Sequence, residues 1–167
     1  LALADYLAGR RDMATAESAL AEAHRALPHA MNIQFALGRL YETHQQPAKA
    51  RATYEDIRDH NRSKPAGGSA KVKLAALDWA EGKQEAATQQ LQEVFRDNPR
   101  ASDALMLEGR IALQHGDGRD AVQAFRTVLK DQPEHSEAYA LLGQAHLMLE
   151  ETNLARENLE KAVVLSP

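Results

Sequence analysis

Five alanines divide the chain at a nearly constant interval. Ala16, Ala50, Ala87, Ala121 and Ala155 follow one another at spacings of 34, 37, 34 and 34 residues. Four residues beyond each stands a large apolar residue: Leu20, Tyr54, Leu91, Phe125 and Leu159. Three further on come Ala23, Ile57, Val94, Val128 and Ala162. Offsets of four and three place all three residues on one helical face. Twelve residues after four of the alanines comes a proline, Pro28, Pro99, Pro133 or Pro167. A unit of this length cannot bury its apolar face alone, so successive units must stack.

A second periodic segment precedes each of these helices. Leu37-Gly38 followed by Tyr41, Leu74-Ala75, Glu108-Gly109, and Tyr139 with Leu142-Gly143 occupy matching places. A small residue beside a large one lets two helices approach closely, and the large neighbour fills the space. Gly82 and Gly116 fall at the turn between the two helices, where helix-ending glycines belong. Asp12 and Asp117 sit at expected N-caps and Pro47 at an expected first helical position. Ser102 and Ser136 mark the starts of two other helices. The second repeat has no terminal proline and carries three extra residues near Asn61–Gly68. There Pro65, Gly67 and Gly68 are expected to stop one helix and delay the next. The Pro65–Ser69 insert reads either as a hinge or as an insertion tolerated in an exposed loop.

Composition agrees with helix. Ala and Leu dominate the apolar residues while β-branched residues are sparse. The formal net charge of -4 shows none of the basic excess that phosphate-backbone binding leaves, so nucleic acid is not an expected partner. No cysteine is present, which removes disulfides, thiolate catalysis and Cys-based zinc sites. No stretch approaches the ~20 apolar residues of a membrane span, so direct membrane insertion is not expected. Cytoplasm and periplasm are both compatible with these features.

The residue types and spacings resemble the tetratricopeptide repeat across essentially the whole chain. The unit from Ser136 to Pro167 matches most fully, through Tyr139, Leu142, Gly143, Ala155, Leu159, Ala162 and Pro167. The resemblance implies an all-α, right-handed α-solenoid of about five helical hairpins. The expected units are roughly 1–30 (partial), 31–67, 68–101, 102–135 and 136–167, in one domain of a longer protein. Leu1 falls about five positions inside the first helix of its unit. Asp78 and His146 depart from the pattern, standing where an aromatic or small apolar residue is usual.

In the family resembled, the first helix of each hairpin lines a concave groove. Carried over by register, the groove residues are Asn32, Phe35, Arg39, Glu42 and Thr43, then Val72, Lys73, Ala76 and Trp79. Met106, Arg110, Leu113 and Gln114 follow, then Glu137, Gln144 and Met148. Phe35, Trp79, Met106 and Met148 are costly to leave wet, and Trp, Met and Arg are enriched at interfaces. This predicts a scaffold or adaptor holding a peptide or helical segment, with apolar anchors and basic contacts. The competing reading has Trp79 packing on the next repeat and Arg39 and Arg110 pairing with nearby Glu. Chaperone-binding members grip a C-terminal carboxylate with Lys and Asn on three successive first helices. Here Phe35, Arg39, Lys73, Asp103 and Leu107 occupy those places, so an EEVD-type tail is not the expected ligand.

No catalytic residue, metal site or cofactor is expected. Seven histidines, at 24, 29, 44, 60, 115, 135 and 146, form no His-Glu-x-x-His arrangement and read as isolated surface residues. Ala66-Gly67-Gly68-Ser69 lacks the Gly-Lys-Ser/Thr ending of a phosphate loop. The alternative function is structural. Both ends resemble unfinished solenoid ends, which predicts self-association into a homo-oligomer or larger assembly. The repeat style is similar to that of bacterial tetratricopeptide proteins, some of which serve cell-envelope or polysaccharide-export complexes.

Overall fold

The structure, a computed structural model, describes residues 13–62 and 64–166. Among these residues are nine helices and no strand. They are α1 Met13–Ala26, α2 Met31–Thr43, α3 Pro47–His60, α4 Pro65–Ala80, α5 Gln84–Asp97, α6 Ser102–His115, α7 Gly118–Asp131, α8 Ser136–Met148 and α9 Thr152–Leu165. The expectations for Leu1, Asp12 and Pro167 fall outside the described residues, as does Ser63. The chain forms two compact units, Leu1–Gln90 and Leu91–Pro167, and the division falls inside α5.

Each unit is built from helices packed on their neighbours in sequence. In the first, α2 lies against α1 and α3, and α3 against α4; in the second, α7 lies against α6 and α8, and α8 against α9. The five marker alanines are at most 1 % exposed, and each lies in a second helix of a hairpin. The apolar residue one turn on packs across the hairpin onto the small residue of the first helix. A Cβ on Gly38 would strike the Tyr54 ring, one on Gly109 would come within 2.5 Å of Phe125, and one on Gly143 within 2.7 Å of Leu159. Hydrogen at these three positions is what lets a ring or isobutyl group fill the space between the helices. Burying a side chain of that size stabilises by about 1.5–3 kcal/mol.

The other side of the second helix meets the next hairpin. Leu20 clusters with Ile33, Ala36 and Leu40 of α2, and Tyr54 and Ile57 with Ala70 and Leu74 of α4. In the second unit Phe125 and Val128 cluster with Ala138, Leu142 and Ala145 of α8. The first helices thus present the same small-and-large face to the preceding hairpin each time.

The turns repeat as closely as the core. In four hairpins the amide just past the turn donates back to a carbonyl five residues earlier: Gln46 to Tyr41, Lys83 to Asp78, Asp117 to Ala112 and Glu151 to His146, at 2.8–2.9 Å. This is the 6→1 bond of a helix stop that needs one left-handed residue. Gly82 (φ 77°) and Gly116 (φ 85°) supply it as expected, but Gln45 (φ 54°) and Glu150 (φ 61°) supply it in the other two turns. Asp117 occupies the N-cap of α7, yet its carboxylate caps no amide. At α8 a side chain does cap the helix: His135 Nδ1 accepts from the Ala138 N–H at 3.3 Å.

The insertion in the second repeat behaves differently from the sequence expectation. Each first helix begins fifteen positions after the buried alanine before it: Met31 after Ala16, Pro65 after Ala50, Ser102 after Ala87 and Ser136 after Ala121. Pro65 therefore starts α4 without delay, and the three extra residues lengthen the helix to 16 residues against 13 or 14 in the other first helices. Proline suits the first helical turn because its missing N–H has no partner there. Gly67 and Gly68 lie inside α4 and do not delay it. A Cβ on Gly67 would meet the carbonyl of Asn61, with the carbonyl carbon at 2.8 Å, so glycine allows the lengthened helix to pass over the end of α3. The expected boundary between residues 67 and 68 falls within this helix.

Candidate functional site

Ion pairs join successive first helices within each unit. Lys73 of α4 reaches Glu42 of α2 at 3.5 Å, and Arg110 of α6 reaches Glu137 of α8 at 2.5 Å. These contacts set α2 beside α4 and α6 beside α8. Arg110 thus takes the partner that the competing sequence reading assigned to it.

The residues expected to face a groove divide by exposure. Asn32, Arg39, Thr43, Arg110, Gln114, Glu137, Gln144 and Met148 are exposed. Phe35, Glu42, Lys73, Ala76, Trp79 and Leu113 are half-buried. Two expectations are corrected: Val72 is 7 % exposed and Met106 5 %, so neither is open to a ligand. Met106 joins the core with Leu105, Ala112 and Phe125, where an unbranched thioether fills an irregular gap. Phe35 stands at the equivalent place in its hairpin and leans on Tyr54, ring centroids 6.1 Å apart. Four residues later in the repeat the pattern reverses, and Arg39, Arg110 and Gln144 are all open to solvent. A first helix flanked on both sides keeps only a narrow polar stripe.

The polar residues buried between hairpins were not legible as a set. Tyr41, Asp78 and His146 occupy equivalent places and are 8 %, 5 % and 1 % exposed. The Tyr41 hydroxyl donates to Glu17 at 2.8 Å. Arg51 donates to Asp78 at 2.8 Å and to Glu81 at 3.1 Å, and Gln90 adds a second bond to Asp78. Glu17 and Arg51 each directly follow a marker alanine, so a partner on the preceding second helix satisfies the buried group on the next first helix. By the same register His146 faces Val122, which is apolar. Its Nδ1 instead lies 2.5 Å from the Glu151 carboxylate, and its Nε2 is buried without a partner. His146 is therefore not a surface histidine: the chain turn it shares with Glu151 draws it inside.

Charge near the stripe perturbs few groups. Burial, and then the Asp120 carboxylate, raise the Glu108 carboxyl above its ordinary value. Burial, and then Glu42, hold the Tyr54 phenol far above its own. Among the described residues no three His, Asp or Glu side chains gather in a way that could hold a metal ion, and no helix is long and apolar enough to cross a membrane.

The repeat geometry is matched by comparison with known proteins. The model of the tetratricopeptide repeat family matches residues 1–67, 72–118 and 107–167. The chain belongs to the tetratricopeptide repeat family. A search of curated proteins finds no match. Solved structures show the same tetratricopeptide fold. A thermophilic tetratricopeptide protein from Thermus thermophilus superimposes with a TM-score of 0.75 at 18 % identity, covering 100 % of this chain and 90 % of that one. MamA gives 0.61 at 20 % identity, over 97 % and 93 %. YrrB, described as having an unusual peptide-binding site, gives 0.58 at 20 % identity, over 98 % and 83 %.

Proposed function

We propose that this tetratricopeptide chain is a protein-interaction scaffold that binds a peptide or helical segment along the exposed stripes of its first helices. Membership of the family and the likeness to YrrB support an interaction scaffold in general. The observation that carries the finer reading is the exposure of Arg39 one turn from half-buried Phe35 in the first unit, and the equivalent exposure of Arg110 and Gln144 in the second. Polar side chains able to bond a peptide then stand next to apolar surface able to anchor it. In the first unit the binding residues are Asn32, Phe35, Arg39, Glu42, Lys73 and Trp79. In the second they are Arg110, Gln114, Gln144 and Met148. A micromolar complex needs about 8 kcal/mol to survive the cost of ordering the ligand, so a few anchors decide the affinity.

Affinity capture from the native source, followed by mass spectrometry, identifies the partner. Trp79→Ala combined with Arg110→Glu then weakens its binding by more than about tenfold while helical circular dichroism stays unchanged. Undiminished binding by that double variant removes the reading.

A further inference from the structure

The outer places of the second helices carry a different charge from repeat to repeat. In α7 they hold Arg119, Gln123, Arg126 and Lys130, which offsets of four, three and four bring onto one exposed face. The same register holds Glu55 and Asp59 in α3, Glu85 and Arg96 in α5, and Glu157 and Glu160 in α9. Three cations therefore stand along about 16 Å of one helix, in a chain whose formal net charge is -4. The carboxylates of α7 turn elsewhere: Asp120 acts on Glu108 of α6, and Asp131 accepts from Arg100 at 2.9 Å. Arg119, Arg126 and Lys130 make no ion pair among the described residues. Helix stability does not explain the row. Arg126 and Lys130 are like charges one turn apart, which weakens a helix. Arg119 stands in the first turn, where the helix dipole disfavours a cation, and Lys130 alone lies in the last turn, where a cation is favoured.

We propose that the outer face of α7 is a second contact surface, which takes an acidic segment of a partner protein lying along the helix. Charge complementarity selects an anion, and the surroundings select a narrow one. A broad anionic surface, such as a membrane, would also meet Glu157 and Glu160 on the second helix that follows. A nucleic acid strand finds no aromatic side chain in the row on which to stack a base. A single protein segment with carboxylates along one side meets neither obstacle. Three exposed ion pairs support a dissociation constant of only ~1 mM by themselves. The face therefore orients and speeds the docking of a partner that is held more firmly elsewhere.

NMR titration of the 167-residue chain with a peptide of twelve glutamates, at about 20 mM salt, tests this. The expected result is a set of amide shifts concentrated on α7 that saturates with a dissociation constant on the order of 1 mM. At about 150 mM salt the affinity falls several-fold. Arg119→Glu and Arg126→Glu each weaken binding by about threefold or more. Each also raises Tm by about 1–3 °C, because it removes a charge that the helix disfavours. Shifts spread evenly over the surface, or centred on another helix, overturn the proposal. So do charge reversals that leave the affinity unchanged or lower Tm. Tighter binding of phosphatidylglycerol vesicles or of a twelve-residue oligothymidylate than of the peptide overturns it as well. The inference does not rest on peptide binding by the first helices, and Trp79→Ala with Arg110→Glu leaves the α7 shifts unchanged.

Discussion

Tyr41 and Tyr54 are both buried, yet only the Tyr41 hydroxyl has a hydrogen-bond partner of ordinary geometry. The bond from Tyr41 holds the Glu17 carboxyl below its ordinary value of 4.5. Burial, and then Glu17, push the Tyr41 phenol up to about 12. Glu17, depressed in the folded state, contributes stability that is complete above 4.5 and lost as pH falls through its lower folded value. Tyr41, raised in the folded state, contributes stability that is complete below 10 and lost as pH climbs toward about 12. Tyr41→Phe is therefore expected to cost about 1 kcal/mol near neutrality. That deficit should shrink in both windows, as urea midpoints measured across pH would show. Tyr54→Phe removes a buried hydroxyl that makes no hydrogen bond of ordinary geometry, so its midpoint is expected to stay level or rise. A loss from Tyr54→Phe equal to that from Tyr41→Phe would contradict this contrast.

At the scale of the helix and its turn, adjacent glycines are expected to behave oppositely. A methyl on Gly67 collides with backbone of Asn61, whereas one on Gly68 meets nothing within 4 Å. Gly67→Ala should cost about 1–3 kcal/mol, and Gly68→Ala should gain about 0.5–1 kcal/mol by raising helix propensity. Thermal unfolding of the two variants decides the matter, and equal shifts would mean that α4 does not start at Pro65. The turns give a second test. Gln45 and Glu150 hold the left-handed conformation that Gly82 and Gly116 adopt without strain, so Gln45→Gly and Glu150→Gly should each stabilise by about 0.5–1 kcal/mol.

The turn glycines, the starting serines and Pro47 were legible in the sequence because each carries one strong backbone preference. Gln45 and Glu150 were not, because tertiary packing imposes their conformation against preference. The stripe was legible only in part. Arg39, Arg110 and Gln144, which register assigned to the groove, are exposed. It could not show that Val72 and Met106 turn inward, since that depends on how far the neighbouring helix overlaps the first one. Asp78 and His146 were visible as departures, but their partners Arg51 and Glu151 come from a hairpin contact and a turn that spacing alone does not resolve.

One contact recurs within the units: a methyl-sized residue in a second helix, closed in by its own hairpin and, at Ala16, Ala50 and Ala121, by the next first helix. Stability in such an array is a sum of repeat and nearest-neighbour contributions, so the contact should be equally intolerant wherever it occurs. Leucine placed singly at Ala16, Ala50, Ala87, Ala121 and Ala155 measures this directly, with exposed Gln123→Leu as the reference. Urea unfolding should show each alanine variant destabilised by about 1–3 kcal/mol and Gln123→Leu within about 0.5 kcal/mol of the parent chain. Alanine variants as stable as Gln123→Leu would mean that the hairpins do not meet at these residues, and the account of the fold and of its binding stripe would fail together.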